Sequence, residues 1–212
     1  MAGPHRDQPL VRDGTPLADA SVAVVLVHGR GRGAARILET AARFVREGVA
    51  LLAPQASEDS WYPERFVAPV AQNEPGLSSA LESIDEAVQT ATAAGVPRER
   101  VVVLGFSQGA CLAGEYAARN PARYGGVVVL SGGLVGPKLD PTAYEGDLAG
   151  TPVFLGCSDE DPHIDARRVR DSAAVFERLR GDVTTRIYSG MDHTVTEDEV
   201  AWVAALLDDL LA

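Results

Sequence analysis

"VLGFSQGAC", residues 103–111, sets a serine between two glycines directly after an apolar run. Around Ser107 the spacing is G-x-S-x-G, with Gly105 and Gly109 on either side. A serine in this pattern sits on a sharp strand-to-helix turn that lifts its hydroxyl above a sheet. The pattern recurs by chance in unrelated chains, so its surroundings decide its meaning. Val101, Val102, Val103 and Leu104 lead into it, and "QGACLAGEYAARN" follows with helix-compatible composition. Such a helix aims its free N–H groups and the positive end of its dipole at the hydroxyl.

Working outward, "SVAVVLVHG", "VALLAPQ", "RVVVLGFS", "GGVVVLSG" and "TPVFLGCS" are short, nearly continuous apolar runs, and "TTRIYS" is a last strand candidate. Continuous rather than alternating runs read as strands covered on both faces. Between them lie segments of helical period. Leu77, Leu81, Ile84, Val88 and Ala91 share one face, with Glu82, Asp85 and Glu86 turned away. Arg36 to Glu47 presents Ile37, Ala41 and Phe44 and is expected to stop at Gly48. Val200, Val203, Leu207 and Leu210 stripe a final helix, which Thr196 and Glu199 open as a capping box. Strands alternating with helices imply βαβ crossovers: an α/β protein with a doubly wound, mostly parallel sheet and helices on both faces. Residues 55–76 and 132–151 lack periodicity, and irregular connections of that length in a compact domain tend to be functional loops. The first twenty residues are polar and rich in Pro and Gly, a loop or an edge hairpin ahead of a single catalytic domain over 21–212.

The chain has 212 residues and a formal charge of -11, which disfavours nucleic acid and anionic membrane surfaces as partners. Lys138 is the sole lysine; a salt-loving host or a GC-rich genome accounts for that bias. Cys111 and Cys157 are too few for a disulfide framework and sit in apolar or small-residue segments, as buried thiols do. No apolar run is long enough to span a bilayer, and the opening residues do not read as a signal peptide. A cytoplasmic protein is expected, with a small-molecule partner, no membrane insertion and room for a homodimer.

A serine hydroxyl is a weak nucleophile and needs a base, which in turn needs an acid to hold its ring. In chains with this elbow the partners follow in the order serine, acid, histidine. Of the four histidines, His5 lies in the polar amino-terminal segment, His28 precedes the serine, and His163 directly follows a strand end. His193, in "SGMDHTV" after the last strand candidate, satisfies the order. For the acid, "SDEDPHID" offers Asp159, Glu160, Asp161 and Asp165. Pro162 keeps the preceding residue extended and out of any helix, which selects Asp161 over the runner-up Asp159. Acyl transfer also needs donors for an oxyanion. The N–H of Gln108 follows the nucleophile, and the glycine-rich turn "HGRGRG" brings the N–H of Arg30 close. That turn lacks G-x-G-x-x-G spacing and so is no dinucleotide fingerprint. No His/Cys/Asp cluster has metal-ligand spacing, so neither metal nor cofactor is expected.

Five ordered motifs, "LVHGRG", "APQASEDSWYP", "GFSQGA", "GCSDEDPHI" and "GMDHTV", span the chain from about Ser21 onward. Together they resemble the phospholipase/carboxylesterase family of α/β hydrolases, which includes acyl-protein thioesterases and small bacterial carboxylesterases. The resemblance implies Ser107 as nucleophile, Asp161 as acid, His193 as base, and Arg30 and Gln108 as backbone oxyanion donors. It also implies that Trp61, beside Tyr62 and Phe66, lines the acyl or alcohol pocket. The segment between "VVVLSGG" and "TPVFLG" is only about twenty residues, too short for a helical lid, so an open site is expected. "HGRGRG" is richer in arginine than the thioesterase form "HGLGD", which pulls the reading towards a carboxylesterase of small and medium esters. A thioesterase or lysophospholipase with the same triad is the alternative; a catalytically silent binding protein is the rival of another class. Arg30 and Arg32 read as solvated charges, with attraction of acidic or aromatic substrates as the alternative.

Overall fold

The five apolar runs and "TTRIYS" form six strands of one seven-stranded sheet in the order β1-β3-β2-β4-β5-β6-β7. The computed structural model describes residues 3–212. Its strands are β1 (Leu10–Gly14), β2 (Val22–Val27), β3 (Val49–Pro54), β4 (Val101–Phe106), β5 (Gly126–Leu130), β6 (Pro152–Ser158) and β7 (Asp182–Tyr188). All neighbours pair in parallel except β1, which runs antiparallel to β3 from Leu10 opposite Pro54 to Gly14 opposite Ala50. Because β1 pairs with β3 and not with its sequence neighbour β2, the amino-terminal segment supplies an edge strand rather than a hairpin.

The helices are α1 (Gly33–Ala41), α2 (Gly76–Ala93), α3 (Gln108–Arg119), α4 (Ala166–Arg178) and α5 (Glu197–Leu211). Successive side chains of a strand point to opposite faces, and β2 shows the consequence. Ala23, Val25 and Val27 pack with α2, α3 and α4 on one side, while Val22, Val24 and Leu26 pack with α1 and α5 on the other. The sheet is therefore doubly wound, with a core on each face.

α1 departs from expectation. It begins at Gly33 and ends at Ala41, and the chain continues through tight turns in which Arg43 N–H donates to Thr40 O and Phe44 N–H to Ala41 O. The turns still bury Phe44, so the apolar spacing served a turn rather than a continuation of the helix. At α5 the capping box forms: Glu199 N–H donates to Thr196 Oγ1, and Thr196 N–H donates to Glu199 Oε2. The two irregular stretches hold only short 3₁₀ turns, at Ser57–Asp59, Val70–Gln72 and Pro141–Ala143. They meet where Gly136 N–H donates to Phe66 O, at 2.8 Å. Among the described residues no helix is long and apolar enough to cross a membrane.

Candidate active site

Ser107 lies between β4 and α3 with φ 58° and ψ −120°, a left-handed conformation for a residue that carries a Cβ. The turn requires both glycines. A Cβ on Gly105 would stand 2.1 Å from Gly109 O, and one on Gly109 would stand 2.0 Å from Val27 O. Backbone thus crosses backbone beneath the serine, and the hydroxyl is pushed up at the carboxyl end of the sheet, where α/β sheets bind ligands.

The loops after β6 and β7 bring the expected partners to it. His193 Nε2 lies 2.8 Å from Ser107 Oγ, and His193 Nδ1 lies 2.6 Å from Asp161 Oδ2. A carboxylate only accepts, so Nδ1–H donates to Asp161 and Nε2 is left to accept from the serine. Asp161 Oδ1 accepts from the N–H groups of His163, at 2.8 Å, and Ile164, at 3.0 Å. Burial works to raise the Asp161 pKa, but the bonds from His193 and these two N–H groups outweigh it and hold the carboxyl below its ordinary value. Asp159 has a different task. It accepts from Ser189 Oγ and Gly190 N–H at 3.0 and 2.9 Å and so ties down the loop that carries His193. Phe106 and His163 flank the imidazole, each with ring centroids 5.0 Å away.

The oxyanion turn follows β2. Gly31 N–H is engaged by Asp59 O, whereas the N–H groups of Arg30 and Gln108 have no backbone acceptor among the described residues. Gly29 lies against the serine, since a Cβ there would meet Ser107 Cβ at 3.4 Å. The exposed Arg30 side chain donates to Pro63 O and Glu64 O, both at 2.7 Å.

A cavity of about 440 Å³ opens over the serine, its walls including Tyr62, Phe66, Phe106, Cys111, Ile164 and His193. Tyr62 and Phe66, two of the three residues expected at the pocket, are in its wall. Trp61 is not: it is fully buried below the wall, its Nε1–H donating to His28 O at 2.8 Å. An indole N–H buried in a core needs an acceptor, and His28 O supplies it. The Gln108 side chain couples this loop to the elbow, accepting from Trp61 N–H at 3.1 Å and donating to Tyr62 O at 2.9 Å.

Two histidines that read as bystanders hold the same loop from beneath. His28 donates through Nδ1 to Gly29 O and accepts through Nε2 from Ala56 N–H. His5, in a segment read as polar and peripheral, is buried; it donates to Trp61 O at 2.8 Å and accepts from Ser57 N–H at 3.1 Å. Burial lowers the pKa of both rings, which suits neutral imidazoles with one donor and one acceptor each. Only the burial of a polar segment against the pocket loop reveals them, and no local pattern carries that information. Burial also lifts the thiols of Cys111 and Cys157 to a pKa of about 12, so neither offers a thiolate near the serine.

Known proteins share this fold. A family profile described as phospholipase/carboxylesterase matches residues 15–211. The crystal structure of a phospholipase/carboxylesterase from Dyadobacter fermentans is 39% identical and superposes over 100% of both chains with a TM-score of 0.92. The Bacillus cereus carboxylesterase, 20% identical, has the same fold, with a TM-score of 0.74 over 97% of this chain and 95% of its own. Acyl-protein thioesterase 1 of Kluyveromyces lactis is 32% identical over 140 residues, 64% of this chain. The matched region spans 61% of that thioesterase's length. With the profile covering nearly the whole length and the elbow, acid and histidine motifs in their order, the chain belongs to the phospholipase/carboxylesterase family.

Proposed function

We propose that the protein is a serine carboxylesterase that hydrolyses small and medium carboxylic esters through an acyl-enzyme. The observation that carries the reading is the unbroken hydrogen-bond chain Ser107–His193–Asp161 at 2.8 and 2.6 Å. Ser107 Oγ attacks the ester carbonyl while His193 Nε2 takes its proton; Asp161 holds the ring and stabilises the imidazolium. The developing oxyanion is received by the N–H groups of Gln108 and Arg30. His193 returns the proton to the leaving alkoxide, and water then enters by the same route to release the acid. No step calls for a metal.

Between β5 and β6 the described chain holds no helix beyond Pro141–Ala143, so nothing of lid size is positioned above the cavity. The site therefore suits soluble esters better than chains drawn from an interface. A panel of p-nitrophenyl esters with graded acyl chains tests the proposal. It predicts the highest kcat/KM with acyl groups of roughly two to eight carbons, each buried methylene contributing about 0.8 kcal/mol until the cavity is filled. The similarity to thioesterases makes the matched thioesters the necessary second arm. An optimum on long-chain thioesters would replace the esterase reading with a deacylase one.

A further inference from the structure

The arginines around the oxyanion turn do not share one role. Arg30 braces the pocket loop through two backbone carbonyls. Arg65 likewise donates to His163 O. Arg32 has no salt-bridge or hydrogen-bond partner among the described residues, and it lines two cavities. The first is the aromatic one described above. The second, about 200 Å³, lies on the other side of Phe106 and His193, with Arg32, Arg36, Arg43, Thr40 and Thr194 in its walls. Three arginines and no Asp or Glu line it, in a chain with 30 acidic and 19 basic residues. Arg36 pairs with Glu39 and Arg43 with Glu197, but these are exposed pairs, and those carboxylates lie outside the cavity wall. Exposed pairs are weak and yield readily to a competing anion.

The position of the second cavity identifies the part of a substrate it meets. The leaving oxygen must come within reach of His193 Nε2 to receive its proton. His193 lines both cavities; the wall of the second continues from it into Thr194 and Val195, whereas the first also holds Ser107, Gln108 and Cys111, beside the oxyanion donors. We infer that the second cavity is the leaving-group subsite and that it selects esters whose alcohol carries a carboxylate or phosphate, held by Arg32 and Arg36. The inference rests on the esterase reading above. In the reaction the Ser107 Oγ–acyl bond forms and the acyl–O bond breaks. The serine proton passes through His193 to the alkoxide, and the anionic alcohol departs; water then cleaves the acyl-enzyme.

The test compares kcat/KM for 4-acetoxybenzoate with that for its neutral amide, 4-acetoxybenzamide, in the full-length protein. Charge-assisted hydrogen bonds of the strength arginine makes imply that the anionic-to-neutral ratio falls at least about tenfold in Arg32→Gln/Arg36→Gln. The same ratio in the unaltered protein should fall as salt rises from about 10 mM to about 500 mM, a readout that needs no variant. A second substrate pair, p-nitrophenyl hemisuccinate and butyrate, places the anion on the acyl side and should show no comparable arginine-dependent preference. Binding of 4-hydroxybenzoate to Ser107→Ala, by calorimetry, should weaken in the double arginine variant and so tests the subsite without turnover. A ratio unchanged by both substitution and salt overturns the inference, as does a preference confined to hemisuccinate. Absence of turnover of the neutral esters by the unaltered protein would instead remove the esterase reading.

Discussion

At Ser107 the backbone is held at φ 58°, ψ −120°, a conformation that costs a residue with a Cβ roughly 1–3 kcal/mol. The close crossing of Gly109 over Val27 enforces it. Two substitutions separate the strain from the chemistry. Ser107→Ala keeps the Cβ and the strain; it should lose ester turnover by about a million-fold, as in a comparable triad, with little change in Tm. Ser107→Gly should be equally inactive yet melt higher than Ser107→Ala, since glycine enters this region freely. Equal melting temperatures would mean the turn is not strained. The two aspartates of the acid loop also divide their labour. Asp161→Asn removes the acceptor that fixes the imidazole tautomer and should cost about ten-thousand-fold in kcat. Asp159→Asn loosens only the attachment of Ser189 and Gly190, and its loss in kcat should be smaller by orders of magnitude. A reversed ranking, from kinetics on purified variants, would transfer the acid role to Asp159.

At the scale of elements, the pocket loop between β3 and α2 is positioned by Gln108 from α3, itself in the cavity wall, and by groups outside that wall: Asn73 from within the loop, and His28 and His5 from below. Trp61 belongs to this support. Trp61→Phe should therefore lower kcat/KM by a similar factor for every acyl length and lower Tm. Phe66→Ala, on the cavity wall, should penalise the longer acyl chains most. A chain-length-selective loss in Trp61→Phe would return Trp61 to the wall. The buried histidines set a pH dependence. Their native pKa values lie below 6.5 because burial disfavours the charged ring, so the unfolded chain binds protons that the native state refuses. Stability is full above pH 6.5 and falls as pH drops through that value towards the native pKa values. In thermal melts from about pH 8 to about pH 5, His5→Gln should flatten this decline by one titrating group. An unaltered slope would show that His5 is not buried as a neutral ring.

Over the whole molecule, what was legible followed from local pattern. Strands buried on both faces announce themselves by continuous apolar runs, and five of the seven here were read that way; β7 was read from "TTRIYS", a half-exposed strand with no such run. β1 escaped because an antiparallel edge strand such as "LVRDG" has a half-exposed, polar composition and is defined by its partner β3. The triad was legible because its members lie on loops immediately after strands, in a fixed order. Trp61, His5 and Asp159 were misjudged or overlooked for one reason: their roles depend on what packs behind the pocket loop and the histidine loop, across sequence separations of 56 residues for His5–Trp61 and 31 for Asp159–Gly190. The topology gathers those parts by aligning the carboxyl ends of β2, β4, β6 and β7 on one rim. All of it converges on one oxygen atom. The most direct test is the intact mass and peptide map of the protein after reaction with a fluorophosphonate, alongside Ser107→Ala. The account predicts one adduct per chain, on Ser107, and none on the alanine variant; an adduct on another residue, or an unlabelled protein that still hydrolyses esters, would contradict it.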